Sequence, residues 1–194
     1  MDYWHNILTE KSWKLLQEIK NKFSFILIGG WAVYLWSKAH KSKDIDIVVN
    51  FKTLDKLKKE YDLRKNDNLK KYEIKINEID IDIYVPFYSK LAFPLEDLKV
   101  EKIEGFNVVC VEQLLILKQD VEKEREFSEK GEKDRIDILD LLLNCDIDFK
   151  IYLNLLKKYK KEEFFSRLIK LVNEFTEYKY FNLTPRQFKL KKRE

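Results

Sequence analysis

Residues 23–50 leave this chain few ways to fold. Phe25-Ile26-Leu27-Ile28 is an apolar run that reads as a short buried strand. It ends in Gly29-Gly30, a pair that marks a tight turn where backbone comes close to another group. Trp31-Ala32-Val33-Tyr34-Leu35-Trp36 is apolar and free of breakers, and reads as a buried helix. Thirteen residues, 31 to 43, separate Gly30 from Asp44. Asp44-Ile45-Asp46-Ile47-Val48-Val49 then alternates as a strand before turning fully apolar. Side chains on a strand repeat every second residue, so Asp44 and Asp46 project from one face.

This order suits a metal-bound phosphate. A glycine pair opening a helix lets backbone amides approach an anion, and the helix N-terminus adds its positive dipole end. Two carboxylates at i and i+2 can bind Mg²⁺, a hard ion that takes oxygen ligands and shares them with substrate phosphates. A third carboxylate would allow two metals, one activating an attacking hydroxyl and one steadying the leaving group. Such a site serves nucleotidyl or phosphoryl transfer.

The third acid has two sources on one later segment. Tyr72–Ile76 and Ile79–Val85 alternate on both sides of Asn77-Glu78 and read as a β-hairpin closed by Pro86. Asp80 and Asp82 share a face opposite Ile79, Ile81 and Ile83. Asp82 is favoured because it stands nearer the middle of an apolar strand, where an acid needs a reason. Asp80 lies beside the turn, where a surface acid is cheap.

The remaining chain reads as mostly helical. An apolar stripe predicts a helix over 6–21, and Thr53 is the expected cap of a short helix over 54–61. Residues 62–71 read as loop, 87–105 as mixed, and 106–111 as a further strand. Helical patterns cover 111–127 and 133–142 with a break at 128–131, and Asp148 caps another helix through the 150s to the 170s. The basic tail, with Arg186, Lys189, Lys191, Lys192 and Arg193, reads as solvated and frayed. The fold class is therefore α/β (α+β), a small mixed sheet with flanking helices over 1–110 and a helical C-terminal region over 111–194.

With 38 basic and 34 acidic residues, the net charge of +4 permits an RNA partner without demanding one. Cys110 and Cys145 lie too far apart for a metal-ligand pair, and His5 and His40 join no constellation that would bind zinc. The N-terminus lacks the apolar core of a signal peptide, and residues 23–36 are too short to span a bilayer. The expectation is a cytoplasmic protein with no membrane partner.

Gly-Gly, a helix, Asp-x-Asp and a second acidic strand together resemble the minimal nucleotidyltransferases of the DNA polymerase beta superfamily. The wider pattern is similar to the AbiEii-like group, many of them toxins of toxin–antitoxin pairs. There the core is followed by a helix bearing a lysine, a basic region and a Lys-Asp-x-x-Asp helix. Lys118, Lys123 or Arg125, and Lys133-Asp134-Arg135-Ile136-Asp137 stand at those positions here. The resemblance implies that Asp44, Asp46 and Asp82 (or Asp80) bind Mg²⁺, with Mn²⁺ as a substitute. It further implies that Gly29, Gly30, Ser42, Lys43, Lys118, Lys133 and Asp134 contact an NTP. It also implies an acceptor hydroxyl, an RNA or tRNA end foremost, and a protein antitoxin as partner. Trp31 stands where Thr or Ser is common, and Ser42-Lys43 where an Arg often stands.

Plainer readings compete. Asp-Ile-Asp occurs at 44–46, 80–82 and 146–148, so alone it describes a solvated strand face. Lys118 could snorkel from an apolar helix, and Lys133, Asp134 and Asp137 could be an ordinary charged face. A non-catalytic nucleotide- or partner-binding module is the rival from another class.

Overall fold

The computed structural model describes residues 3–192, which fall into two compact units, Met1–Cys110 and Val111–Glu194. The first unit carries helices α1 (Tyr3–Lys22), α2 (Gly29–Ser37) and α3 (Phe51–Glu60). Its strands are β1 (Ile26–Ile28), β2 (Ile45–Val48), β3 (Arg64–Asn66), β4 (Lys71–Ile76), β5 (Ile79–Tyr84), β6 (Val100–Ile103) and β7 (Phe106–Val109). They form one mixed sheet in the order β3-β4-β5-β2-β1-β7-β6. The pairs β2–β5 and β1–β7 are parallel and the others antiparallel.

The alternation seen in the sequence becomes a two-faced sheet. Ile45, Ile47, Ile79, Ile81 and Ile83 are all buried on one face. Each such side chain contributes about 1.5–3 kcal/mol by leaving water. That burial locks the register, since a slip of one residue would turn every isoleucine outward. The acids of β2 and β5 are thereby committed to the other face.

Helix α2 is apolar because it is buried nearly all round: Trp31, Ala32, Val33 and Leu35 are all enclosed. The Trp31 indole donates to Ser12 Oγ of α1 at 2.9 Å, and its ring lies 5.0 Å from Trp13 and 5.5 Å from Tyr34. The residue that departs from the usual hydroxyl after the glycine pair is thus a core anchor with its one donor satisfied.

Several boundaries differ from the sequence-based expectation, each for a local reason. Residues 64–66, expected as loop, form the edge strand β3, and β6 lies within the stretch read as mixed. Both are sheet edges with charged, largely exposed residues, so neither carries an apolar alternation. Asn50, not Thr53, caps α3, its side chain accepting from the Thr53 amide at 2.8 Å.

The second unit contains α4 (Val111–Glu124), α5 (Glu129–Asn144), α6 (Phe149–Lys158), α7 (Glu163–Glu174) and α8 (Pro185–Lys191). Ser128 to Gly131, expected as a break, is the start of α5, with Ser128 accepting from the Gly131 amide. Asp148 caps α6 as its position suggested. The single helix expected beyond it is two helices, divided near Lys160, whose φ is +56°.

The basic tail is not frayed over its described part. Thr184 and Gln187 form a reciprocal capping box with Pro185 at the first helical position. Phe188 is buried against Ile136, Leu139 and Phe175. Arg193 and the side chain of His5 lie outside the described residues. No helix among the described residues is long and apolar enough to cross a membrane.

Phe188→Ala is expected to destabilise the second unit by about 3 kcal/mol. Urea unfolding followed by circular dichroism checks this, with Lys189→Ala as a near-neutral control.

Candidate active site

The site is assembled at the end of β1 and along β2 and β5, all within the first unit. β1 pairs with β2 so that Ile28 lies opposite Asp46. The chain then turns at Gly29, with φ +66°, directly into α2. A Cβ on Gly29 would stand 2.1 Å from Asp46 Oδ2, and one on Gly30 2.5 Å from Ser42 Oγ. The glycine pair is therefore required by conformation and by close approach together. No side chain caps α2, because its N-cap is Ile28.

Parallel pairing of β2 with β5 puts Asp82 beside Asp46. Asp44, immediately before β2, shares the face of Asp46 by alternation, and all three acids are partly buried. Asp80 is exposed and paired across the hairpin with Lys75, Nζ to Oδ1 3.5 Å. Of the two candidate third acids, Asp82 is the one the register sets next to Asp46. Ser42 is buried, its hydroxyl donating to the Asp44 carbonyl at 3.1 Å, while Lys43 is half-buried beside it.

Sequence reasoning overlooked Lys71 and Glu73 on β4. Glu73 pairs in register with Asp82, and Lys71 Nζ lies 2.6 Å from Asp82 Oδ2 and 3.2 Å from Glu73 Oε1. A signal was present: two strands joined by Asn77-Glu78 pair residues whose numbers add to 155, and 73 plus 82 is such a pair.

Burial pushes the Asp82 carboxyl above the ordinary carboxylate value, opposed by the Lys71 hydrogen bond and charge and reinforced by Glu73 and Asp44. Burial draws the Lys71 ammonium down, but the hydrogen bonds and charges of Asp82 and Glu73 outweigh it and hold its pKa above the ordinary lysine value.

The donor set suits a hard cation: carboxylate oxygens only, beside a glycine cradle that a Cβ would fill. Among the described residues no three acidic, histidine or cysteine side chains already converge as a metal cage. One Asp82 oxygen is engaged by Lys71 instead.

The other expected residues belong to the second unit. Lys118 is buried between α4 and α5, its Nζ 2.6 Å from Asp137 Oδ2 and 3.5 Å from Asp134 Oδ1. Arg125 Nε donates to Asp134 Oδ2 at 2.6 Å. Lys133, next in sequence to the buried Asp134, is exposed. Lys118 and Arg125 with Asp134 and Asp137 form an internal clamp of the helical unit, in which these two buried aspartates each meet a cation.

No protein-family model matches the sequence, and no curated protein is significantly similar to it. Comparison with solved structures does give matches. A protein of H. pylori assigned as a nucleotidyltransferase is 15% identical with TM-score 0.50, the match covering 99% of this chain and 92% of that one. ANT(2″)-Ia, solved in complex with adenylyl-2″-tobramycin, is 14% identical with TM-score 0.49, covering 82% of this chain and 97% of that one. Megavirus polyadenylate synthase is 21% identical with TM-score 0.49, covering 72% of this chain. This chain spans only 31% of the viral protein's length. The fold of the present chain is thus the mixed α/β fold of the nucleotidyltransferases.

Gly29→Ala is expected to cost more than about 1 kcal/mol, since it adds a clash to an unfavourable φ; urea unfolding reads the loss. Carboxyl NMR should show Asp82 titrating above an ordinary aspartate, and higher again in Lys71→Met, which removes both downward influences. A folded-state value above the unfolded one means that stability falls as pH rises from the unfolded pKa through the folded one. The fall should therefore be deeper in Lys71→Met.

Proposed function

We propose that this protein transfers a nucleoside monophosphate from an NTP to an acceptor hydroxyl and releases pyrophosphate. The observation that carries the reading is the alignment of Asp46 with Asp82 by the β2–β5 pairing, directly over the Gly29-Gly30 turn into α2.

Asp44, Asp46 and Asp82 would hold Mg²⁺, which when bound supplies charge neutralisation for the triphosphate and a more acidic acceptor hydroxyl. The chain's own groups do the rest. Backbone amides at the uncapped start of α2 meet the phosphate oxygens, at the positive end of the helix dipole. Ser42 lies against Gly30 of that turn, and Lys43 follows it in sequence. Asp82, set beside Asp46 by the strand register, would help to take up the acceptor's proton. Catalysis is then chiefly positioning and electrostatic complementarity to the charge that develops on the transferring phosphoryl group.

An RNA end, a tRNA end foremost, is the acceptor we favour, supported by the net charge of +4 and the AbiEii-like motif order. The same resemblance extends the proposal to a toxin restrained by a protein antitoxin. A module that binds nucleotide without turnover is the competing outcome.

Incubation with each of the four NTPs labelled at the α-phosphate, Mg²⁺ and total RNA is expected to give ribonuclease-sensitive label. Asp46→Asn should lower incorporation by roughly 10²- to 10³-fold while its circular dichroism spectrum is unchanged. Full activity in that variant would sink the metal-site assignment. Protease-sensitive label would move the acceptor to protein, and nucleotide binding with no incorporation would favour the module.

A further inference from the structure

We propose that Lys71 is a built-in counter-ion of the metal site, holding Asp82 while the nucleotide is absent and yielding the carboxylate when a metal–nucleotide arrives. The inference rests on the reading of Asp44, Asp46 and Asp82 as metal-binding residues.

The geometry is that of a designed pair rather than a surface accident. Lys71 is the first residue of β4 and reaches diagonally across the hairpin to Asp82, at 2.6 Å, with 13% of its side chain exposed against 24% for Asp82. It touches Glu73 as well, at 3.2 Å. Asp44, Asp46, Asp82 and Glu73 share one sheet face, and so many carboxylates repel one another unless a cation stands among them. Lys75 gives the contrast. It lies opposite Asp80 at 3.5 Å with both side chains more than half exposed, a pairing of little energetic weight.

An ammonium and a divalent cation compete for the same carboxylate lone pairs. Lysine is a compact point charge on a flexible stem, so it can be moved, whereas Mg²⁺ insists on a near-ideal octahedron of oxygens. Bare metal must displace Lys71 from Asp82 and tolerate its charge nearby. Metal carried by a triphosphate brings further oxygen ligands and an anion to which the released ammonium can turn. Lys71 is in this sense a positioning residue that couples metal affinity to nucleotide.

The test is a Mn²⁺ titration of the full-length, nucleotide-free protein, read by electron paramagnetic resonance of the free ion. Lys71→Met is expected to bind Mn²⁺ roughly tenfold more tightly than the wild type, through loss of a nearby positive charge. Lys71→Arg and Lys75→Met should match the wild type. Lys71→Gln, neutral but able to hydrogen-bond, gives the same reading should the methionine variant fail to fold. Equal or weaker binding in both neutral variants overturns the proposal. Asp46→Asn in the same titration separates the two readings: it must lose Mn²⁺ affinity. Unchanged affinity there overturns the metal site and the role of Lys71 with it; lost affinity there, with unaltered Lys71→Met and Lys71→Gln, overturns the role of Lys71 alone.

Discussion

The parallel pairing of β2 with β5 is the constraint on which the first unit depends. It is short, Ile45 to Val48 against Ile81 to Tyr84, and it joins segments more than thirty residues apart. Its isoleucines must face the core, and that requirement sends aspartates of both strands to the other side in matching register. Apolar burial does the folding, and acid alignment comes with it. A site of like charges could not hold itself together; here the opposite face of the same strands does so.

The glycine turn is tied to that pair by steric fit. Gly29 accepts the Asp46 carboxylate where a larger residue would collide, and Gly30 accepts Ser42. Behind the turn, α2 is clamped by the Trp31–Ser12 hydrogen bond and by the aromatic cluster with Trp13 and Tyr34. The turn is therefore fixed from both sides: by acids in front and by aromatic packing behind.

What the sequence made legible follows from where apolar alternation is strong. The strand–turn–helix–strand core and the β4–β5 hairpin were readable because each buries one face. The edge strands β3 and β6 were not, for their residues face water on both sides and carry no period. The C-terminal helix was misjudged because lysine and arginine dominate its composition, while its docking depends on one side chain, Phe188, and on a cap. Within the site, the candidate aspartates stood out as motif positions. Lys71 did not, since it sits at a strand boundary and reaches its partner diagonally.

The two charged edges have a further consequence. A sheet whose outermost strands carry Arg64, Lys65 and Asn66 on one side and Glu101 and Lys102 on the other discourages backbone pairing with a second chain. Recognition by strand addition, which would extend the sheet into a partner, is disfavoured at both ends. A protein partner of this unit is then met by side chains on its faces, and selectivity for such a partner is a matter of their chemistry rather than of templated backbone.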